Sequence, residues 1–306
     1  MQSIHGKPQE GRPKMGVPPG FGVNKLAAML CEAQSQTTED LQVAEAIKAF
    51  PSLARAETKG SALAQLKILS AVASMTLQAK AKPASARSWS LSNEDFQFAS
   101  HLIPDESVDL IWTDLPYGSD VNDMSFHKGG LASFDDSFNT AVGLLADVAK
   151  ESYRVLRPDR YAVFCFGFVI YTALCSSLHS AGFNVNPVPV VWAKNTKSGE
   201  NPTTRYCNSY EPLLVVSKGS PVFLRPGQSN LISLPIEQGK LQAVQKPVEL
   251  VQRFLLDMCS RGATVVDFCA GTGTTGIAAH RLGMNSIMFE RDPAMYTLAK
   301  ARLEAL

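Results

Sequence analysis

The sequence is short of several things at once, and each shortage excludes a class of protein. Its six cysteines stand at 31, 165, 175, 207, 259 and 269, and no two form a Cys-x-x-Cys pair. A zinc site, a redox dithiol and a disulfide framework are therefore unsupported; no metal is expected, and a reducing cytoplasm suits the chain. The first fifteen residues, MQSIHGKPQEGRPKM, are polar and contain no apolar core, which predicts a protein that is not secreted. The longest apolar run, Tyr161 to Leu178, is broken by Gly167. It reads as a buried strand followed by a helix rather than a bilayer span, so no membrane partner is expected. There is no internal repeat, and the net charge is only +1.

What is present is an ordinary globular composition, 45% hydrophobic and 19% charged over 306 residues. That length suits one large domain with a small appendage. The near-zero net charge hides a segregation. Residues 1–88 carry 11 Lys+Arg against 6 Asp+Glu, residues 89–192 carry 5 against 13, and residues 193–246 carry 7 against 3. Basic blocks flanking an acidic one can steer a polyanion, although solvated surface charge explains either block taken alone.

Along the chain, residues 1–22 are rich in Gly and Pro and read as a disordered arm. Residues 23–88 read as helices closed by a linker of small residues, AKPASARS. Within them, the stretch from Val23 to Leu69 resembles the helical part that follows the nuclease-like fold in ParB-like proteins. From Trp89 onward the pattern changes. Apolar runs at 108–114, 161–168, 187–194, 212–219, 263–270 and 285–292 alternate with helical stretches at Thr140–Leu156, Ile170–Ala181, Pro247–Cys259 and Gly276–Leu282. This alternation predicts an α/β fold with a mainly parallel sheet.

Two turns carry the chemistry. The first runs from Val265-Val266-Asp267 through Phe268-Cys269-Ala270-Gly271-Thr272-Gly273 into Thr274-Thr275, with Glu290 ending the following strand. Glycines admit a ligand close to the backbone, a helix N-terminus offers free N–H groups, and an acid at the second strand's end can accept from both hydroxyls of a ribose. The third glycine of a dinucleotide fingerprint is missing, as is a Gly-Lys-Ser/Thr. The second turn is Asp114-Leu115-Pro116-Tyr117, closing the apolar run Val108–Thr113. This turn resembles the Asp-Pro-Pro-Tyr motif of amino-directed DNA methyltransferases, and the resemblance implies the chemistry that follows. A base amine is a poor nucleophile because its lone pair is delocalised into the ring. A carboxylate (Asp114) and a backbone carbonyl (Leu115) that each accept one N–H favour a pyramidal nitrogen. Pro116 stiffens the turn, and Tyr117 offers a flat face to a base swung out of a duplex.

The stretch from Gln245 to Leu303 closely resembles the C-terminal part of amino-directed DNA methyltransferases. It has Lys246-Pro247 opening a helix, the glycine turn with Thr274 and Thr275, a strand ending in Glu290, and a last helix Tyr296-Thr297-Leu298-Ala299-Lys300-Ala301-Arg302-Leu303. Asp114-Leu115-Pro116-Tyr117 resembles the Asp-Pro-Pro-Tyr motif of the same family. Two departures stand out: Phe268 replaces the usual proline, and Cys269 replaces the aromatic that packs on the cofactor. The tetrad precedes the glycine turn, which is the permuted order of the beta class.

The resemblance implies a circularly permuted, doubly wound, mostly parallel sheet over 89–306, with target recognition at about 194–240. Because the chain ends one helix after Glu290, the third strand should be Trp89–Phe96, with Asp95 at its end meeting the cofactor's adenine amine. An N-cap role is the alternative for Asp95. The resemblance implies S-adenosyl-L-methionine as cofactor, held by Asp95, Lys246, Pro247, Asp267, Cys269, Gly271, Gly273, Thr274, Thr275 and Glu290. Its implied partner is double-stranded DNA, with Lys194, Lys197 and Arg205 facing phosphates. A homodimer is allowed, and a companion nuclease is left open. Asp at the tetrad's first position favours N6 of adenine in this family, and Ser favours N4 of cytosine. N4-cytosine transfer is thus the near alternative. A non-catalytic DNA-binding or partition protein is the distant one, and it leaves Asp114, Tyr117, Gly271 and Glu290 without a joint purpose. A cytosine-C5 enzyme needs a Pro-Cys nucleophile, which the chain lacks.

Overall fold

The computed structural model describes residues 88–118, 137–198, 204, 206–236 and 245–306. The expected arm over 1–22 and the helical segment over 23–88 lie outside these residues, apart from Ser88. In chain order the elements are β1 (Trp89–Ser92), α1 (Phe96–Ala99), β2 (Val108–Asp114), α2 (Phe138–Val155), β3 (Leu156–Cys165), α3 (Tyr171–Ala181), β4 (Asn184–Val185), β5 (Val190–Ser198), β6 (Asn208–Lys218), β7 (Leu231–Ser233), α4 (Val248–Met258), β8 (Thr264–Asp267), α5 (Thr274–Arg281), β9 (Asn285–Phe289) and α6 (Pro293–Glu304). The strands form one sheet in the order β1-β9-β8-β2-β3-β6-β5-β7, with β4 also on β6. The pairs from β1 to β3 are all parallel. β6 runs antiparallel to β3, β4 and β5. This is the mostly parallel, permuted α/β sheet expected from the alternation.

β2 is buried from Val108 to Thr113 without alternation, because helices cover both faces of the sheet. On one face α2 presents Ala141, Leu145, Val148 and Ala149, at helical spacing, to a core shared with Phe164 of β3, Phe166 just after it and Leu174 of α3. On the other face α4 and α5 pack Val251, Phe254, Leu255 and Ile277 against Trp112, Val163 and Trp192. The Trp112 and Phe254 rings meet at 5.1 Å, and burying a side chain of that size stabilises by roughly 1.5–3 kcal/mol. Gly167 marks the break in the long apolar run, between the end of β3 and the single turn before α3. Among the described residues no helix is long and apolar enough to cross a membrane.

From β8 the chain winds to β9 on one side, and from β2 to β3 on the other, while β8 and β2 are themselves neighbours. Their C-terminal ends therefore flank a crevice at a topological switch point, where open α/β sheets bind ligands.

Three boundaries differ from expectation. β1 stops at Ser92 rather than Phe96, because Asp95 accepts from the Gln97 N–H and caps α1, while Asn93 bonds the Glu290 carbonyl. β3 begins at Leu156, five residues early. Its polar start bulges between the Val108–Leu156 and Leu110–Tyr161 pairs, and Arg157 and Arg160 tie the bulge to Asp109 on β2. The slot expected to hold target recognition, 194–240, contributes strands to the sheet: β5, β6 and β7 all enter it, and β6 is an interior strand.

Candidate active site

The glycine turn is built around Asp267 at the end of β8. Its carboxylate accepts from the Cys269 N–H at 3.0 Å and from the Thr275 hydroxyl at 2.5 Å, which closes the turn onto α5. Gly273 has φ +76°, and a Cβ there would lie 3.1 Å from Ala299 of α6. Glycine at 273 is therefore demanded by the turn and by helix packing. Gly271 has φ +53°, but a Cβ there would meet nothing within 4 Å, since it faces open space. Its N–H donates to Glu290 Oε2 at 2.8 Å, and the Asp292 N–H donates to Glu290 Oε1 at 2.8 Å. Asp292 in turn caps α6, just before Pro293. Burial pushes both Asp267 and Glu290 up to about 7.

That open space is a cavity of about 220 Å³ between the two strand ends. Its apolar walls include Phe96, Phe268 and Phe289, with Phe268 packed on Phe96 at 5.1 Å and stacked on Phe289 at 6.1 Å. Cys269 also lines it, with its thiol pushed up by burial. Aromatic surface is thus present although the residue at 269 is not aromatic.

Across the cavity lies the tetrad. The Leu115 N–H donates to the Cys165 carbonyl at 3.1 Å. The Leu115 side chain is buried in the core beneath, so an apolar residue anchors the turn where the family has proline. Asp114 Oδ2 is 2.6 Å from Lys246 Nζ. Its other oxygen, Oδ1, is buried and has no hydrogen-bond partner among the described residues. Lys246 also reaches Glu211 Oε2 at 3.1 Å and stands 5.0 Å over the Tyr117 ring. The Tyr117 hydroxyl donates to that same Glu211 oxygen at 2.9 Å. Lys194 pairs with Oε1 of Glu211.

Burial pushes Asp114 up, and Lys246 only partly offsets the rise. Burial also pushes Glu211 up, but Lys246 and Lys194 outweigh it and hold that carboxylate at about 2. Lys246 is held above the ordinary lysine range: burial alone would lower it, and Asp114 and Glu211 overcome that. Burial and both carboxylates raise the Tyr117 hydroxyl well above its usual range.

The structure brings most of the expected residues to one cavity. Asp114, Leu115, Pro116 and Tyr117 line one side, and Asp267, Cys269, Gly271, Thr274, Thr275 and Glu290 the other, with Asp95 at the rim. Asp95 caps α1, the alternative expected of it, and it also lines the cavity. Three placements need correction. Lys246 lines the cavity, but its ammonium is bound to Asp114 and Glu211. Pro247 and Gly273 are not among the cavity's lining residues; they start α4 and α5. Lys194 does not point to solvent, since its side chain is 15% exposed and paired with Glu211. The Lys197 side chain and Arg205 lie outside the described residues. Glu211 went unrecognised in the sequence. The signal was an acid inside the apolar run Tyr210–Val216, at the entry to a buried strand. No metal-binding cluster of His, Cys, Asp and Glu occurs among the described residues.

Comparison with known proteins gives a consistent picture. The sequence model of a family described as DNA methylase, the N6/N4 methyltransferases, matches residues 108–244 and 225–301. The Type II methyltransferase M.HinfI of Haemophilus influenzae is 25% identical over 240 residues, covering 67% of this chain and 65% of its own length, so the chain spans just under two thirds of that relative. The Type II methyltransferase M2.DpnII of Streptococcus pneumoniae is 24% identical over 245 residues, covering 70% and 88%. Among solved structures, the PvuII DNA methyltransferase (cytosine-N4-specific) superposes with a TM-score of 0.55 at 18% identity, over 72% of this chain and 90% of that one. At that identity the likeness establishes the fold.

Proposed function

Because the chain belongs to the N6/N4 DNA methylase family, we propose that it methylates N6 of adenine in double-stranded DNA, with Asp114 as the group that receives the base amine. DNA is the family's substrate and S-adenosylmethionine its methyl donor. The observation that carries the reading is the state of Asp114. Its side chain lines the cavity and is 25% exposed, with one oxygen tied to Lys246 and the other buried without a partner among the described residues. A buried acceptor without a donor costs free energy. A small turn of the carboxylate on receiving a base amine would give it a donor.

The cavity suits the donor. Glu290 would accept from the ribose hydroxyls, Asp95 would meet the adenine amine, the Phe96 and Phe268 walls would cover the adenine rings, and Gly271 leaves room for close approach. When bound, S-adenosylmethionine supplies an electrophilic methyl group on a sulfonium. The chain's own residues prepare the other partner. The Asp114 carboxylate and the Leu115 carbonyl accept the two amine protons and hold the nitrogen pyramidal. Tyr117 stacks on the extruded base. As the N–C bond forms and the S–C bond breaks, the nitrogen is left with one proton too many. Asp114, raised by burial, can take it and release it to water.

Adenine is preferred to cytosine on the family pattern of Asp at position 114. Target recognition is placed within 194–240, with Lys197 and Arg205 as the phosphate contacts. Transfer of labelled methyl from S-adenosylmethionine to DNA, RNA and protein tests the reading. Label should enter DNA alone. Asp114→Ala should keep cofactor binding and lose about 10²–10³-fold in rate, the usual loss for removing one preorganised polar partner. Full activity in that variant would defeat the reading.

A further inference from the structure

Glu211 has no part in the step just described, yet it touches three of the groups around it. A carboxylate is costly to bury unless it is paired and hydrogen-bonded. At this point β6 could carry an apolar residue, as it does at Leu213 and Leu214. Instead Glu211 is mostly shielded, with 15% of its side chain exposed, and fully used. Oε1 pairs with Lys194, and Oε2 takes both the Tyr117 hydroxyl at 2.9 Å and Lys246 at 3.1 Å. Lys246 continues to Asp114 at 2.6 Å and stands over the Tyr117 ring. The result is a line of alternating charge, Lys194–Glu211–Lys246–Asp114, with the tyrosine ring clamped beside it. Lys246 and Asp114 would neutralise each other without help. The extra pair adds fixed direction: one oxygen of Glu211 holds both the ring and the ammonium.

We propose that Glu211, with Lys194 as its counter-ion, is a positioning residue for methyl transfer, setting the Tyr117 ring through its hydroxyl and the aim of Asp114 through Lys246. This rests on the function proposed above. In kinetics of the full chain with saturating S-adenosylmethionine and DNA, Glu211→Ala should lower kcat about 10- to 100-fold, the scale of a small misplacement near the reacting atoms. The KM for the cofactor should change less than twofold. Tyr117→Phe should cost activity in the wild-type chain and nothing further in Glu211→Ala, since the two act through one contact.

Glu211→Gln keeps the size and removes the charge. Around Asp114 the remaining titratable or charged groups are Lys246, Tyr117, Cys165, Asp267 and Cys269. Glu211 raises Asp114, so the acid limb of kcat should move to lower pH in Glu211→Gln. A ring-fluorine label on Tyr117, read by ¹⁹F NMR, needs no methyl transfer. It should give one sharp resonance in the wild type and a broadened or split one in Glu211→Ala. Additive losses in the cycle, an unmoved pH limb or an unchanged fluorine line would overturn the proposal. A wild-type chain inactive on DNA, but with a fluorine line that depends on Glu211, would sink the functional reading and leave the positioning role standing.

Discussion

The two sides of the cavity hold their carboxylates in opposite ways. On the glycine-turn side, Asp267 and Glu290 are held by neutral donors, namely backbone N–H groups and a threonine hydroxyl. Burial therefore prevails, and both titrate at about 7. On the tetrad side, Asp114 and Glu211 alternate with two ammonium groups, and Glu211 is held at about 2. The first side is thus adjustable near neutral pH, as suits a site that receives a ligand's hydroxyl donors. On the second side Glu211 stays ionised and fixes direction, while Asp114, raised by burial, can still take a proton, as suits a site that must aim a carboxylate at an amine.

The strongest way to break this contrast is to fill the glycine-turn side. Gly271→Val forces a branched side chain into a left-handed conformation and into the cavity. Binding of S-adenosylmethionine, measured by titration calorimetry, should fall roughly 5- to 150-fold for a steric overlap costing about 1–3 kcal/mol, while the backbone strain should lower the melting temperature of the free protein. Wild-type affinity would mean that the cofactor sits elsewhere.

Glu290 gives the next effect and a sign to check. Its pKa in the folded chain lies above the ordinary carboxylate value, so its contribution to stability is present at low pH and is lost as pH rises through about 7. The ligand-free protein should therefore melt at lower temperature at pH 8 than at pH 5.5. Cofactor binding uses the ionised carboxylate, so its affinity should strengthen from pH 6 to pH 8. Glu290→Gln should weaken binding roughly 10- to 150-fold at pH 8, for hydrogen bonds to a charged group worth about 1.5–3 kcal/mol, and should flatten that pH dependence. Equal slopes in both proteins would assign the titration to another group.

The smallest effect separates a lysine engaged by a carboxylate from cations expected to meet phosphate. Lys197→Ala and Arg205→Ala should each flatten the slope of log DNA affinity against log salt by about 0.9. Lys194→Ala should leave the slope alone and lower kcat, because its ammonium is engaged by Glu211. A flattened slope in Lys194→Ala would return that residue to the DNA surface.

The same contrast explains what could be read from the sequence. The glycine-turn side is local. Asp267, Gly271, Gly273 and Glu290 fall within one strand–turn–helix–strand unit, and short-range rules for turns and strand ends suffice to find them. Asp114 and Tyr117 were legible too, because they end an apolar run. The bonds between them and the rest were not. Lys246 meets Asp114 across 132 residues, and Glu211 meets Tyr117 across 94. Only the order of strands in the sheet brings β6 and the start of α4 to the tetrad. Lys194 was misread for the same reason: a cation in a basic stretch looks solvated until its partner is known. The early start of β3 was hidden because the strand opens with a single pair, Leu156 on Val108, followed by a polar bulge held by Arg157 and Arg160 to Asp109.

The identity of the methylated base tests the account most directly. Duplex DNA incubated with the purified chain and isotope-labelled S-adenosylmethionine, digested to nucleosides and resolved by mass spectrometry, should yield labelled N6-methyladenine and no labelled methylcytosine. Labelled N4-methylcytosine, or no label in any nucleoside, would contradict it.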